Sequence, residues 1–381
     1  MIQYANRLNT VEEYYFSKKL REVRALIAQG KPIINMGIGS PDLPPPPNVI
    51  KTIQEAVLEE GAHQYQSYQG IPEMRKAMAN FYQTNFDVTL NPDDEVLPLM
   101  GSKEGIMHIS MAFLNEGDVA LIPNPGYPTY SSVTKLVGAK VKTYDLTAEN
   151  NWYPDIKKLE ATNLSRVKIM WVNYPHMPTG TNADLSRLKE IIAFGARNHI
   201  LIINDNPYSF VLNNSPSSIL KATGNQSHVM ELNSLSKTFN MAGWRVGMLA
   251  GDSEHIKAVL KVKSNMDSGM FYGIQKGAVQ ALNSSSDWYE TLNKTYKSRR
   301  EHIFNLADKL DCTFDKNGVG MFVWAKLPST AKKAEEFIDD ILIEKNVFIT
   351  PGTIFGSNGE GYIRFSLCLS GDKIKEALSR F

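Results

Sequence analysis

One short stretch, Glu231-Leu-Asn-Ser-Leu-Ser-Lys-Thr-Phe-Asn-Met-Ala-Gly-Trp-Arg-Val-Gly247, gathers an amine, two hydroxyls and a guanidinium. Lys237 offers a nitrogen that can attack a carbonyl carbon. That chemistry needs a separate anchor to hold the carbonyl compound in place. Ser234, Ser236 and Arg245 are residue types that hold a phosphate, through hydroxyl donors and a planar fork of N–H groups. The expected ligand is therefore a phosphorylated carbonyl compound, with Lys237 as its covalent anchor.

A second constellation lies about one β-unit upstream. Asp205-Asn-Pro-Tyr208 follows the apolar run Ile200-Leu-Ile-Ile203. A carboxylate facing a pyridine nitrogen keeps that nitrogen protonated and makes the ring an electron sink. Tyr208 can donate to a phenol oxygen on the same ring. Taken alone, Asp-x-x-Tyr reads as a helix cap and a turn tyrosine; with Lys237 downstream, the catalytic reading is preferred. Pyridoxal 5'-phosphate (PLP) combines the carbonyl, phosphate, pyridine nitrogen and phenol oxygen that these groups ask for, and it is the expected cofactor.

Three further features fit the same site. Gly101-Ser102-Lys103 joins a strand to a helix, and backbone N–H groups at a helix start bind anions. An ordinary βα turn explains those residues equally well by itself. Tyr127, in Pro125-Gly-Tyr-Pro-Thr-Tyr130, can stack on a pyridine face or be a turn aromatic. Arg364, in Tyr362-Ile-Arg-Phe-Ser-Leu367, has apolar neighbours, and a buried guanidinium needs an anion. A substrate α-carboxylate suits its fork, and a structural salt bridge is the alternative. Gly37-Ile-Gly39 is no dinucleotide fingerprint, because Asp42 follows and no helix does.

Strands and helices must alternate to position these groups. Strands are expected at Val96–Met100, Val119–Ile122, Ala139–Tyr144, Lys168–Val172 and Ile200–Ile203. Helices are expected at Val11–Gln29, Asn48–Glu60, Pro72–Asn85, from Gly101, and at Leu185–Asn198. The pattern predicts an α/β fold: a three-layer, mostly parallel sheet with helices on both faces and ligands at the strands' carboxyl ends. A long helical stretch, Ile274–Leu310, then leads to a strand at Met321–Ala325, a helix at Ala331–Glu344 and strands near Val347 and Ile363. This predicts an arm and part of a small domain at 1–45, a large domain at 46–275 and a smaller α+β domain at 276–381.

The chain has 381 residues and a net charge of +1, which gives no support for nucleic acid or an anionic membrane as a partner. Cys312 and Cys368 stand in no metal or redox spacing, so no metal site is expected and a reducing compartment is. No basic leader and no membrane-length apolar run are seen, and a soluble, cytoplasmic protein is expected.

Taken in order, the Gly101 turn, Tyr127, Pro178-Thr-Gly180, Asp205/Tyr208, Ser234/Lys237/Arg245 and Arg364 resemble the fold-type I PLP enzymes, in particular class I/II aminotransferases. The likeness runs from Gly37-Ile-Gly-Ser-Pro-Asp42 to Arg364-Phe-Ser366. It implies amino-group transfer from an L-amino acid to a 2-oxo acid by a ping-pong route. It implies that Lys237 bonds the cofactor and moves protons. Ser234, Ser236, Arg245 and the amides of Ser102 and Lys103 would hold the phosphate. Gly39 would meet the substrate carboxylate through its backbone. Tyr65, in Tyr65-Gln-Ser-Tyr-Gln-Gly70, would reach a neighbouring subunit's phosphate, which implies a homodimer with shared sites. Gly101–His108, Pro125–Pro128 and Ser264–Phe271 look like LL-diaminopimelate and aspartate-type aminotransferases.

One departure stands out. The family pattern Asn-Pro-x-Gly is Met177-Pro-Thr-Gly180 here, and a thioether cannot donate a hydrogen bond. His176, Asn173 or Tyr208 alone are the remaining candidates for that donor. The stretch Pro175-His-Met-Pro178 also resembles C–S β-lyases on the same fold, the alternative activity. A transcription regulator of this fold would need a DNA-binding domain for which the chain leaves no room.

Overall fold

A computed structural model describes residues 2–11, 15–223 and 227–381. Its centre is a seven-stranded sheet. The spatial order is Val96–Leu99, Gly247–Gly251, Val229–Ser234, Leu201–Asp205, Val167–Val172, Val119–Asn124, Lys140–Asp145. Gly247–Gly251 is antiparallel to both neighbours, and the other pairs are parallel. The inner strands are apolar almost throughout because helices cover both faces. Side chains alternate between the two sides, as a strand's period of two requires. Met170, Val172 and Ile202 enter one apolar cluster, while Ile169, Trp171, Leu201 and Ile203 enter the other.

The parallel strands bring their carboxyl ends to one edge, so Asn124, Asp205 and Ser234 end there together. A third cluster surrounds a four-stranded antiparallel sheet of Thr350–Pro351, Tyr362–Ser366, Phe322–Lys326 and Thr313–Phe314. It includes Ile34 and Phe348, whose short strands pair in parallel, and also Met177 and Tyr208 from the large sheet's edge. The carboxyl edge of the large sheet therefore faces the second sheet.

The expected elements appear with shifted ends, and some differ in kind. The helix expected at Asn48–Glu60 is Pro47–Ala56. The opening helix is described from Tyr15 to Ala28, and positions 12–14 of the expected stretch lie outside the described residues. The stretch Ile274–Leu310 is two helices, Tyr272–Leu282 and Ser286–Lys309, broken at Asn283-Ser-Ser285, whose short polar side chains favour caps and turns over helix interiors. The strands Val229–Ser234 and Gly247–Gly251, which bracket Lys237, were not anticipated. Glu231 and Asn233 interrupt the apolar pattern of the first, and glycines end the second.

The loop after Ile34–Asn35 is fixed to the long helix by charge. Arg299 donates from Nη1 and Nη2 to the two Asp42 oxygens at 2.7 and 2.8 Å, and from Nη1 to the Leu367 carbonyl at 2.9 Å. Arg299→Ala should lower unfolding free energy by about 1.5–3 kcal/mol, the range for hydrogen bonds to charged groups. Arg299→Lys should recover little, since an ammonium cannot make the paired contact. Urea unfolding measures both, and an unchanged midpoint in Arg299→Ala would show that the clamp contributes nothing.

Candidate active site

Between the carboxyl edge and the second sheet lies a cavity of about 510 Å³. Its walls include eleven residues expected from sequence: Gly39, Ser102, Lys103, Tyr127, Asp205, Tyr208, Ser234, Ser236, Lys237, Arg245 and Arg364. Tyr65 is not among them. It is 89% exposed and stands on a separate groove with His63 and Phe271.

One end of the cavity is built for an anion. The helix Ser102–Phe113 begins there after Gly101, whose φ of +91° favours glycine. A Cβ on Gly101 would come within 2.1 Å of Arg245 Nη2, so glycine is what lets the guanidinium lie against this turn. Ser234 caps the short helix Leu235–Thr238 by accepting from the Ser236 amide at 3.1 Å, and its Oγ donates to Ser236 Oγ at 2.9 Å. Arg245 Nη1 donates to the Ala242 carbonyl at 2.9 Å, a neutral acceptor that does not cancel its charge. A guanidinium, two hydroxyls and a helix N-terminus converge, which is what a phosphate dianion requires.

Asp205 forms the centre. Its Oδ2 accepts from the Tyr130 hydroxyl at 2.8 Å. Its Oδ1 is buried and has no hydrogen-bond partner among the described residues. Burial pushes this carboxyl up to about 7; Glu231 adds to the rise, while the Tyr130 bond and Lys237 oppose it. A buried oxygen left unpaired is costly, and a protonated pyridine nitrogen supplies the missing donor and the missing charge. The phosphate-type end and this unpaired oxygen fit PLP. Tyr127 borders the cavity and meets Tyr130 edge-on at 5.6 Å, and Tyr130 stacks on Trp171 at 5.0 Å.

Lys237 Nζ donates to the Gly39 carbonyl at 2.5 Å. Burial holds its pKa below the ordinary lysine value; Arg364 and Arg245 push the same way, and Cys368 and Asp205 oppose. A buried lysine beside two guanidiniums sheds its proton more readily, and the neutral amine is the nucleophile. Tyr208 is also buried, and burial raises its hydroxyl pKa, so it remains a donor.

The far end holds Arg364. Its guanidinium lies 4.0 Å from the Phe322 ring centre and 4.8 Å from that of Phe355. Nη2 donates to the Gly37 carbonyl at 2.8 Å, and Nη1 lies 3.7 Å from the Met177 sulfur. Met177 is thus a wall of the cavity and a soft acceptor for the arginine. The Asn173 amide is engaged at both ends, donating to the Asp205 carbonyl at 2.5 Å and accepting from the Met177 amide at 2.9 Å. His176 pairs with Thr179 Oγ1 at 2.8 Å, and burial lowers its pKa to about 3. It does not border the cavity. His176 is thereby set aside, while Tyr208 and Asn173, whose Nδ2 has a second N–H, both border the cavity as candidates for the donor missing at Met177.

Sequence reading passed over Tyr130, Phe322, Ile354 and Phe355, which also form the walls. Tyr130 was detectable, since it follows Tyr127 by one helical turn. Glu104, His108 and Asp267 also approach one another, although there Asp267 already has the Lys263 ammonium at 2.8 Å. Among the described residues no helix is long and apolar enough to cross a membrane.

Fold and site together fit an enzyme that uses PLP. The family model described as "Aminotransferase class I and II" matches residues 31–381. An LL-diaminopimelate aminotransferase from Dehalococcoides mccartyi is 38% identical, with 100% of this chain and 98% of the relative covered. Another from Nitratidesulfovibrio vulgaris is 38% identical, covering 99% and 97%. Among solved structures, apo-BacF from Bacillus subtilis superposes with a TM-score of 0.94 at 35% identity, covering 100% and 98%. An aminotransferase from Staphylococcus aureus gives 0.90 at 31%, covering 99% and 98%. The chain belongs to the class I and II aminotransferases. It is a PLP-dependent enzyme that moves an amino group from an amino acid to a 2-oxo acid, and these relatives support that activity over the C–S lyase alternative.

The state of Asp205 has a measurable consequence in cofactor-free protein. Its carboxyl titrates near the ordinary 3.8 when unfolded and near 7 when folded, so the folded state holds the extra proton between those values. Stability from this group therefore falls as pH rises from about 4 to about 7. Urea unfolding of wild type and Asp205→Asn at pH 5 and pH 8 should show wild type losing ground to the variant at the higher pH. A difference independent of pH would mean that Asp205 is already ionised.

Proposed function

We propose that Lys237 is the covalent anchor and the proton carrier of the transamination. Bound in this cavity, PLP would supply the electron sink that lets a substrate Cα–H bond break. Asp205 would hold the ring nitrogen protonated through its unpaired Oδ1. Tyr208 would donate to the phenol oxygen, and Tyr127 would stack on the ring. Ser234, Ser236, Arg245 and the amides of Ser102 and Lys103 would bind the phosphate.

Arg364 would take the substrate α-carboxylate through its fork, with Gly39 beside it. Lys237, as a neutral amine, would remove the Cα proton and deliver it to the cofactor carbon, then repeat the cycle in reverse with the 2-oxo acid, a ping-pong order. The observation that carries this reading is the convergence of Lys237, Asp205 and Arg364 on one cavity with an unpaired buried carboxylate oxygen. LL-diaminopimelate is the substrate in the names of the bacterial relatives.

The same proposal includes a homodimer and domain boundaries at 45/46 and 275/276. Support for the dimer is the exposure of Tyr65 beside Phe271, with Leu58 and Met266 exposed on the same chain at 85% and 58%. Apolar groups of that size in water suit a protein partner. Tyr65 would donate to the phosphate held by the neighbouring subunit.

Lys237→Ala, reconstituted with PLP, should lose the borohydride-sensitive visible band and the absorbance change on adding amino acid. A variant that kept both would remove Lys237 from the mechanism. Tyr65→Phe should weaken PLP affinity about tenfold, as expected for one hydrogen bond to a charged group, although Tyr65 lies outside its own chain's cavity. A monomer in solution whose PLP affinity ignores this change would overturn the shared site.

A further inference from the structure

The cations that border the cavity are Lys103, Lys237, Arg245 and Arg364. Arg245 sits with Ser234, Ser236 and the helix start that carries Lys103, at the phosphate end. Lys237 sits at the centre. Arg364 is then the cation left for a substrate carboxylate, and the α-carboxylate takes it. The wall around Arg364 is Phe322, Ile354, Phe355, Met177 and Tyr208. Asp205 is the one carboxylate in the wall among the described residues, and it lies at the ring end.

A substrate with a second carboxylate would need a further cation, and one with a distal ammonium would need an anion. Placing either charge against aromatic rings and a thioether, away from water, is unfavourable. The groove around Tyr65 does not change this. His63, Gln64, Tyr65, Gln66, Ser268 and Phe271 carry no carboxylate, ammonium or guanidinium. If that groove faces the neighbouring site, it adds aromatic rings and one imidazole. Nearby, Lys263 and Asp267 are buried and satisfy each other at 2.8 Å.

We infer that the preferred amino donor carries a neutral apolar side chain, with an aromatic ring the best match to walls made of Phe322 and Phe355. The inference rests on the site reading above and names the substrate class for it. Aspartate, glutamate and LL-diaminopimelate, which carry distal charges, are disfavoured. Ile354, on the short helix Gly352–Phe355, is the wall position at which this preference is best tested, since it is not among the Gly37, Met177, Phe322 and Phe355 groups that Arg364 meets.

The test is a half-reaction screen of PLP-loaded protein. Phenylalanine, leucine, aspartate, glutamate and LL-diaminopimelate are each mixed with it below saturation, and the decay of the visible band gives a second-order rate constant. Phenylalanine should exceed each charged amino acid by about tenfold or more, the scale on which an apolar pocket discriminates. Equal or faster reaction of aspartate, glutamate or LL-diaminopimelate overturns the inference. Ile354→Arg should raise the glutamate-to-phenylalanine ratio by about tenfold, as one added charge pair would. A folded Ile354→Arg protein with an unchanged ratio overturns the wall assignment, and the wild-type screen stands on its own if the variant does not fold. Failure of every amino acid to change the band would instead defeat the underlying site reading, and the inference with it.

Discussion

A buried carboxylate oxygen with no hydrogen-bond partner among the described residues is the constraint on which the proposed chemistry depends. Asp205 Oδ1 is buried at the end of a central strand, and its partner oxygen is taken by Tyr130. Burial raises the carboxyl to about 7, so without a ligand the group is poised between charged and neutral. A cationic ring nitrogen resolves the conflict by bringing both a proton donor and a charge. The same loss of solvent that strains Asp205 lowers the proton affinity of Lys237, and the two groups act on each other electrostatically.

The fold explains why these groups meet. Parallel strands end at one edge, so residues far apart in sequence, such as Asn124, Asp205 and Ser234, arrive side by side. The antiparallel strand Gly247–Gly251 follows the lysine segment directly and returns Arg245 to the start of the helix Ser102–Phe113. The second sheet supplies Arg364 with an aromatic sandwich, and its cluster also contains Met177 and Tyr208. The cavity thus lies where the large sheet's edge meets the cluster of the second sheet.

Much of this was legible in the sequence because it is local. The Lys237 segment carries the proposed anchor and most of the proposed phosphate-binding groups within a few residues, and the apolar strands announce themselves by composition. What was illegible depends on long-range packing. Phe322, Ile354 and Phe355 read as ordinary core residues until the second sheet places them around Arg364. The hydrogen bonds that fix Asn173 to the Asp205 carbonyl and the Met177 amide are likewise a tertiary fact. Tyr65 was named through a family likeness, and a single chain leaves it exposed and away from its own cavity. The strands flanking Lys237 were hidden because Glu231 and Asn233 are polar yet fully or nearly buried, with Glu231 bonded to Asn204 and the Ile219 amide.

The central claim is that the Asp205 carboxyl is held for a cationic partner. It is tested most directly by infrared difference spectroscopy at pH 6, recorded on adding PLP to cofactor-free wild type and Asp205→Asn. The account predicts that wild type loses the signal of a protonated carboxyl and gains that of a carboxylate, and that the variant shows neither change. A protonated carboxyl signal that survives cofactor binding, or an equal change in Asp205→Asn, would contradict it.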